Sequence, residues 1–212
     1  MLTIWGRKTS SNVQALMWCI GELDLPYKRH DAGHKYGGTD SDEFYAINPN
    51  RTVPVLQDGP NTPLWETGAI LRYLANRYGS ESFWPADLLA KTEVDRWAEW
   101  AKLNIAQAFT APIFWRVVRT PTEKRDVDTI KSAVDYFESK LLIAEERLAK
   151  HIFLVGNEFT LADIQFAHVL YRYYDINIER KALRNVQDYY MRLTTRPAFR
   201  EHVMVSYDEL RA

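Results

Sequence analysis

The stretch that decides the fold is Asn48-Pro49-Asn50-Arg51-Thr52-Val53-Pro54-Val55-Leu56, and its most informative step is Val53-Pro54. A proline at the start of a strand cannot donate a ladder hydrogen bond, and the residue before it is pushed into an extended conformation. If the Val53-Pro54 bond is cis, the amide and carbonyl of Val53 point away from the sheet and are free to pair with an extended ligand. The segment therefore predicts a strand that begins at a ligand-binding edge.

A turn and a charged helix start follow this strand. The turn Gln57-Asp58-Gly59-Pro60 leads to a short apolar strand, Leu64-Trp65, and Glu66-Thr67 then open an amphipathic helix that reaches residue 78. Glu66 can pair with an ammonium group, and the hydroxyl and amide of Thr67 sit at a helix N-terminus, which favours an anion. Taken alone, Glu66-Thr67 would be interpreted as a helix cap. Together with the Val53-Pro54 motif, the pair favours binding of a ligand that carries an ammonium and a carboxylate.

Towards the N-terminus, the pattern alternates between strands and helices. Residues 2–5 and 27–31 are predicted strands, 13–23 is an apolar-rich helix, and 41–47 is a short helix. With the strands at 55–56 and 64–65 and the helix at 69–78, the order is β-α-β-α-β-β-α. This order resembles a thioredoxin-like domain, which we place at residues 1–79.

Beyond residue 79 the chain is predicted to be helical. A linker occupies residues 80–86, and an all-α domain occupies 87–212. Apolar residues recur at spacings of three and four along two long helices, the second of which spans 127–148. Pro112 falls inside the first long helix and is expected to kink it.

Thr160 and Asp163 form the sharpest local signal of the second half. Thr160 is a favourable N-cap residue, and Asp163 follows three positions later, as in a capping box. We expect these residues to fix a helix start, with a role in folding and not in catalysis.

Composition excludes several classes of function. The chain has 212 residues, a formal net charge of −1, 46% hydrophobic and 26% charged residues, so it lacks the basic excess typical of a nucleic-acid-binding protein. No apolar run is long enough to span a membrane, and no secretory signal is evident, so a cytoplasmic protein is expected.

The single cysteine, Cys19, lies in an apolar helix and is interpreted as a buried hydrophobe. His30 and His34 have a glycine between them, so no metal site is predicted.

Asn48-Pro49, Val53-Pro54-Val55-Leu56 and Glu66-Thr67, in this order, resemble the glutathione site of the cytosolic glutathione S-transferases. The Thr160–Asp163 segment resembles the N-capping motif of their C-terminal domain, so the resemblance covers nearly the whole chain. It implies that Pro54 lies beside the cysteinyl part of glutathione and that the backbone of Val53 pairs with the tripeptide. Glu66 and Thr67 would hold its γ-glutamyl end.

The resemblance also implies a hydrogen-bond donor to the glutathione sulfur in the turn after the first strand. This turn carries neither tyrosine nor cysteine, and its serines resemble those of theta-like and delta-like members and of a bacterial branch of the family. We assign the donor to Ser10, with Ser11 as the rival and Asn12 as a supporting donor. The alternative is that Ser10 or Ser11 only caps the first helix.

Two positions depart from the family pattern. Many members have Gly-Lys before Val-Pro, where this chain has Arg51-Thr52, and Thr67 replaces the usual serine. Arg51 is expected to substitute for the missing lysine. Lys35, in a glycine-rich loop, is a candidate for the glycyl carboxylate, with an exposed loop lysine as the equal alternative.

The second substrate is expected between the domains, against the kinked helix. This cleft is predicted to be mostly apolar and to suit an electrophilic organic compound. The loop at Arg7-Lys8 would border it, and Arg116 and Arg119 would add positive charge nearby. Its predicted aromatic walls are Phe109, Phe114 and Trp115.

The sequence thus favours a serine-type glutathione S-transferase of the detoxification kind, which takes glutathione as co-substrate, needs no metal and, as the family does, forms a homodimer. Two alternatives keep the fold. One is a non-catalytic protein that binds glutathione or apolar ligands; the other is a glutathione-dependent isomerase, dehalogenase or peroxidase. These alternatives differ in the second-substrate pocket, which is the part of the protein that the sequence describes least.

Overall fold

The computed structural model describes all 212 residues and begins with a four-stranded sheet. The strands β1 (Leu2–Trp5), β2 (Tyr27–His30), β3 (Val55–Asp58) and β4 (Leu64–Trp65) lie in the order β2-β1-β3-β4. β1 pairs with β2 in parallel and with β3 antiparallel, and β3 pairs with β4 antiparallel. Three helices complete this part: α1 (Ser11–Glu22), α2 (Asp42–Ile47) and α3 (Thr67–Tyr78). The predicted thioredoxin-like order is confirmed.

The remainder is helical, as predicted. α4 (Leu88–Ala101) runs on through a π-helical stretch (Lys102–Ala106), α5 (Gln107–Phe109), a second π-helical stretch (Thr110–Trp115) and α6 (Arg116–Val118). Pro112 lies in the second π-helical stretch, where the regular hydrogen-bond ladder is interrupted. The other helices are α7 (Val127–Leu148), α8 (Leu161–Ala167), α9 (Leu170–Asp175), α10 (Arg184–Thr194) and α11 (Pro197–His202). None of the helices has both the length and the apolar character needed to cross a membrane.

Helix α1 joins the two parts of the chain. Eight consecutive residues from Val13 to Ile20 are buried, because α1 packs against α3 on one side and against α8 and α11 of the helical part. Trp18 is fully buried and meets the ring of Phe199 edge-on, with 4.8 Å between ring centroids. One apolar cluster therefore runs from the sheet into the helical part and fixes their relative position.

The start of α8 is held by the predicted capping box at Thr160 and Asp163. The fully buried Asp163 carboxylate accepts hydrogen bonds from the backbone amides of Thr160 (2.8 Å) and Leu154 (2.9 Å) and from the Tyr189 hydroxyl (2.9 Å). Burial raises the pKa of Asp163, and these hydrogen bonds oppose the rise. A carboxylate with three such donors anchors α8 against α10 and the segment before α8.

Candidate functional site

The turn between β1 and α1 leaves the hydroxyl of Ser10 free. Ser10 stands at the N-cap position of α1, and its carbonyl oxygen accepts the hydrogen bond from the amide of Gln14 at 2.9 Å. Its side chain makes no capping hydrogen bond and is half-buried. Ser11 is the first residue of the helix and is also half-buried. A free hydroxyl beside the positive end of the α1 dipole is suited to donate to an anion.

Asn12, in the first turn of α1, is held by a lysine that comes from the helical part. The ammonium of Lys102 donates to Asn12 Oδ1 at 3.0 Å. Burial lowers the pKa of Lys102, and the negative charges of Glu66 and Glu99 partly restore it. Lys102 thus adds a positive charge between the start of α1 and Glu66. A role for Lys102 was not predicted from the sequence. Its position next to the apolar residues of the first long helix was a possible signal.

The Val53-Pro54 peptide bond is cis, as the sequence suggested. Pro54 is buried and Val53 half-buried, and neither the amide nor the carbonyl of Val53 is hydrogen-bonded within the protein. Gly6 lies directly against Val53: a Cβ atom added to Gly6 would come within 3.3 Å of Val53 Cβ and 2.5 Å of Val13 Cγ2. The absence of a side chain at Gly6 therefore brings the β1–α1 turn beside the unpaired backbone of Val53.

Glu66 and Thr67 occupy the start of α3. Glu66 has a φ of 69°, which is uncommon for a residue other than glycine and is a backbone feature that clusters at functional sites. Its side chain is exposed, whereas Thr67 is only 3% exposed and its hydroxyl has no hydrogen-bond partner. The first-turn amides of a helix lack partners within the helix. The pair therefore offers one carboxylate and a set of donors side by side.

The two predicted cations, Lys35 and Arg51, each have a partner within the protein. Lys35 Nζ lies 2.5 Å from the carboxylate of Glu209, and this hydrogen bond raises the pKa of Lys35. Arg51 donates to the carbonyl oxygen of Ser41 at 3.2 Å and lies 3.7 Å from the carboxylate of Asp42. Arg51 belongs to the segment that leads to Val53, and the contact of either cation with a ligand stays a prediction.

The aromatic residues predicted for a second pocket differ in exposure. Phe109 and Phe114 are almost completely buried and pack against each other, with 6.1 Å between centroids. Trp115 is 43% exposed, and its ring lies 4.7 Å from the guanidinium carbon of Arg119. Of the three, Trp115 alone presents a large surface to solvent. A cavity of about 810 Å³ lies elsewhere, between α7 and residues 177–181, and none of the predicted site residues lines it.

Buried polar atoms without a hydrogen-bond partner fall into two groups. One consists of guanidinium Nε atoms, those of Arg7, Arg119 and Arg172. The other consists of side-chain atoms on α1 and at the α8 end, two helices that pack together: both amide atoms of Gln14, Oε1 of Gln165 and Nε2 of His168. Such atoms are rare in folded proteins.

Cys19 is not available as a nucleophile. Cys19 is fully buried in α1, and burial raises the pKa of its thiol. No cluster of three or more His, Cys, Asp or Glu side chains is arranged to hold a metal ion.

Comparisons with known proteins give one consistent result. The family model described as "Glutathione S-transferase, N-terminal domain" matches residues 1–76, and "Glutathione S-transferase, C-terminal domain" matches residues 104–197. Glutathione S-transferase GstB of Escherichia coli K12 is 35% identical over 206 residues, which cover 97% of this chain and 99% of that protein.

Solved structures agree with the sequence comparisons. The theta class glutathione S-transferase of the citrus canker pathogen Xanthomonas axonopodis pv. citri, with glutathione bound, superimposes with a TM-score of 0.91 at 38% identity. The match covers 97% of this chain and 98% of that one. The apo form of the same enzyme superimposes with a TM-score of 0.83.

His168 should make the stability of the protein depend on pH. Burial, reinforced by the charge of Lys102, lowers its pKa from 6.5 to about 3. The unfolded chain therefore binds a proton below its own pKa that the folded chain does not, so stability is complete above pH 6.5 and falls as the pH drops towards 3. The loss due to His168 is about 1.4 kcal/mol between about pH 8 and about pH 5.5.

Urea unfolding of wild type and His168→Gln at these two pH values measures this loss. The variant should show a smaller fall in the free energy of unfolding between them, and the exposed His34→Gln serves as the matched control. An equal fall in wild type and His168→Gln would contradict a buried neutral histidine.

Proposed function

Because this chain belongs to the glutathione S-transferase family, we propose that it holds glutathione as a thiolate beside Ser10 and directs the sulfur at an electrophilic organic compound. The observation that carries the assignment of Ser10 is its hydroxyl, which stands at an N-cap position without capping the helix. The sulfur forms a bond to the electrophilic carbon, the leaving group departs with its electron pair, and the thiol proton passes to solvent.

Stabilising the thiolate requires only a small free energy. An ordinary thiol has a pKa near 8.5, and lowering it by about two units requires about 2.7 kcal/mol. A hydroxyl donor and the N-terminal dipole of α1 together supply energies of this order. Asn12 supports the turn through Lys102, whose ammonium contributes further positive charge near the sulfur. Serine acts here as a donor and not as a nucleophile, so it needs no neighbouring base.

The remaining glutathione contacts are proposed for Val53, the start of α3 and two cations. The amide and carbonyl of Val53 would pair with the cysteinyl backbone of the tripeptide. The hydroxyl of Thr67 and the first amides of α3 would bind the γ-glutamyl carboxylate, and Glu66 would bind the ammonium. We propose Lys35 and Arg51 for the glycyl carboxylate. The ammonium of Lys35 has three donors, so it can keep Glu209 and still take a second oxygen.

We also propose a homodimer that removes electrophiles in the cytoplasm. A reducing compartment fits a protein that has one buried free thiol and uses another thiol as co-substrate. Leu88 and Leu89, at the start of α4, are 73% and 80% exposed and would be covered by a second copy.

Ser10→Ala should lower the rate of conjugation of glutathione with an aryl halide. Loss of the donor raises the pKa of the bound thiol, so kcat at neutral pH should fall by about 10- to 100-fold while the KM for glutathione changes little. The pH profile of kcat should shift to higher pH. Ser11→Ala is the matched control and should retain the wild-type profile.

The opposite result, with Ser11→Ala impaired and Ser10→Ala normal, would move the donor to Ser11. Saturable glutathione binding without conjugation of any electrophile would favour the non-catalytic alternative.

Thr67→Val should weaken glutathione binding by about tenfold or more, because a hydrogen bond to a charged carboxylate is lost. Thr67→Ser keeps the hydroxyl and should bind nearly as well as wild type. Calorimetric titration of both variants with glutathione measures the effect, and unchanged affinity in Thr67→Val would remove Thr67 from the binding site.

The mass of the protein in solution tests the dimer. Sedimentation velocity at micromolar concentration should give twice the mass of one chain. A single-chain mass at every concentration would contradict the homodimer.

A further inference from the structure

Three arginine side chains have no acidic partner, and two of them, Arg119 and Arg172, lie over the rings of the adjacent residues Trp115 and Phe114. Arg7 lies in the β1–α1 turn, Arg119 follows α6, and Arg172 belongs to α9, so they come from distant parts of the chain. The Nε atom of each is buried and makes no hydrogen bond, and none of the three guanidinium groups forms a salt bridge. We call these residues the arginine cluster.

Arg172 is the most deeply placed member of the arginine cluster. It is 2% exposed, and its only hydrogen bond runs from Nη2 to the carbonyl oxygen of Thr9 at 2.8 Å. Its guanidinium carbon lies 4.5 Å from the centre of the Phe114 ring and 5.7 Å from that of Tyr207. The two rings and the carbonyl hold the guanidinium in place, and its Nε remains without a partner.

The charges of the cluster act on one another. Burial, with the positive charges of Arg119 and Arg7, lowers the pKa of Arg172 to about 10, so it is protonated at neutral pH. Burial and the charge of Arg119 likewise lower the pKa of Arg7. Bringing like charges together out of water is costly unless an anion joins them. The acidic group that acts on Arg7, Glu209, is already bound by Lys35 and the hydroxyl of Thr9.

Two members of the cluster, Arg7 and Arg172, contact the turn that carries Ser10. Arg172 contacts Thr9, the residue before Ser10, and the carbonyl oxygen of Arg7 accepts the amide of Ser10 at 3.1 Å. Guanidinium groups bind planar oxyanions through paired N–H donors, a geometry that suits a carboxylate better than a single sulfur atom. Two of the three arginines come from the helical part, on the side where the second substrate is expected.

We propose that the arginine cluster binds the carboxylate of the second substrate, so that this enzyme prefers electrophiles that carry an acidic group on an otherwise apolar frame. The inference rests on the proposed function and names the substrate class of that same site. With the carboxylate held by the cluster, the reactive carbon is brought to the sulfur beside Ser10. In the test reaction below, the thiolate forms a C–S bond at the ring carbon, and chloride leaves with the electron pair of the C–Cl bond.

A matched pair of substrates tests this preference: a chloronitrobenzoate and the corresponding chloronitrobenzamide, each with chlorine ortho to the nitro group. Values of kcat/KM are divided by the uncatalysed rate with glutathione, which corrects for the different reactivity of the two rings. Wild type should favour the carboxylate by about tenfold or more. Arg119→Gln, which loses no hydrogen bond within the protein, should abolish most of this preference through a higher KM for the carboxylate.

Arg200→Gln is the matched control, because Arg200 is exposed and has no side-chain partner; it should keep the wild-type preference. Equal corrected values for the two substrates in wild type would overturn the inference and leave the transferase function standing. An equal loss of both activities in Arg119→Gln, with a pH profile shifted upwards, would also overturn it and assign the cluster to the thiolate. Conjugation of neither substrate, nor of a neutral aryl halide, would instead count against the proposed function.

Discussion

The turn from Gly6 to Ser10 is the constraint on which the proposed chemistry depends. Its backbone is held by β-type hydrogen bonds from Gly6 to His30 (2.9 Å) and from Arg7 to Ala32 (3.2 Å). On its other side, Arg172 binds the carbonyl of Thr9 and Glu209 accepts the hydroxyl of Thr9. Because distant groups fix this turn, the hydroxyl of Ser10 is not needed to cap α1 and remains available for a ligand. A site whose geometry is fixed in advance spends little binding energy on ordering itself.

The shared apolar core explains how groups from two domains can act on one turn. A single cluster of 51 buried residues runs from Leu2 in β1 to Leu210 near the C-terminus, so the sheet and the helical part cannot move independently without exposing it. Lys102 and Arg172 therefore reach the N-terminal turn at fixed distances.

Local signals in the sequence predicted the fold well. Contacts between residues far apart in the chain could not be predicted from it. The Val53-Pro54 step and the Thr160–Asp163 box are short motifs whose physics is contained in neighbouring residues, and the structure has a cis bond and a capped helix there. Arg7 and Arg119 were expected near the second-substrate cleft as scattered charges. Their convergence with Arg172 could not be foreseen, because Arg172 and Thr9 are 163 positions apart and meet only through the fold. The ion pair of Lys35 with Glu209 was likewise not predictable, because nothing near Lys35 in the sequence indicates it.

The proposed function requires that glutathione bind beside the β1–α1 turn with its sulfur held as an anion by the hydroxyl of Ser10. Titration of the bound thiol by its ultraviolet thiolate absorbance, at saturating glutathione, measures this directly. We expect an apparent pKa of the bound thiol about two units below the ordinary value of about 8.5. A bound thiol that titrates near 8.5, or the lack of any saturable binding of glutathione, would contradict it.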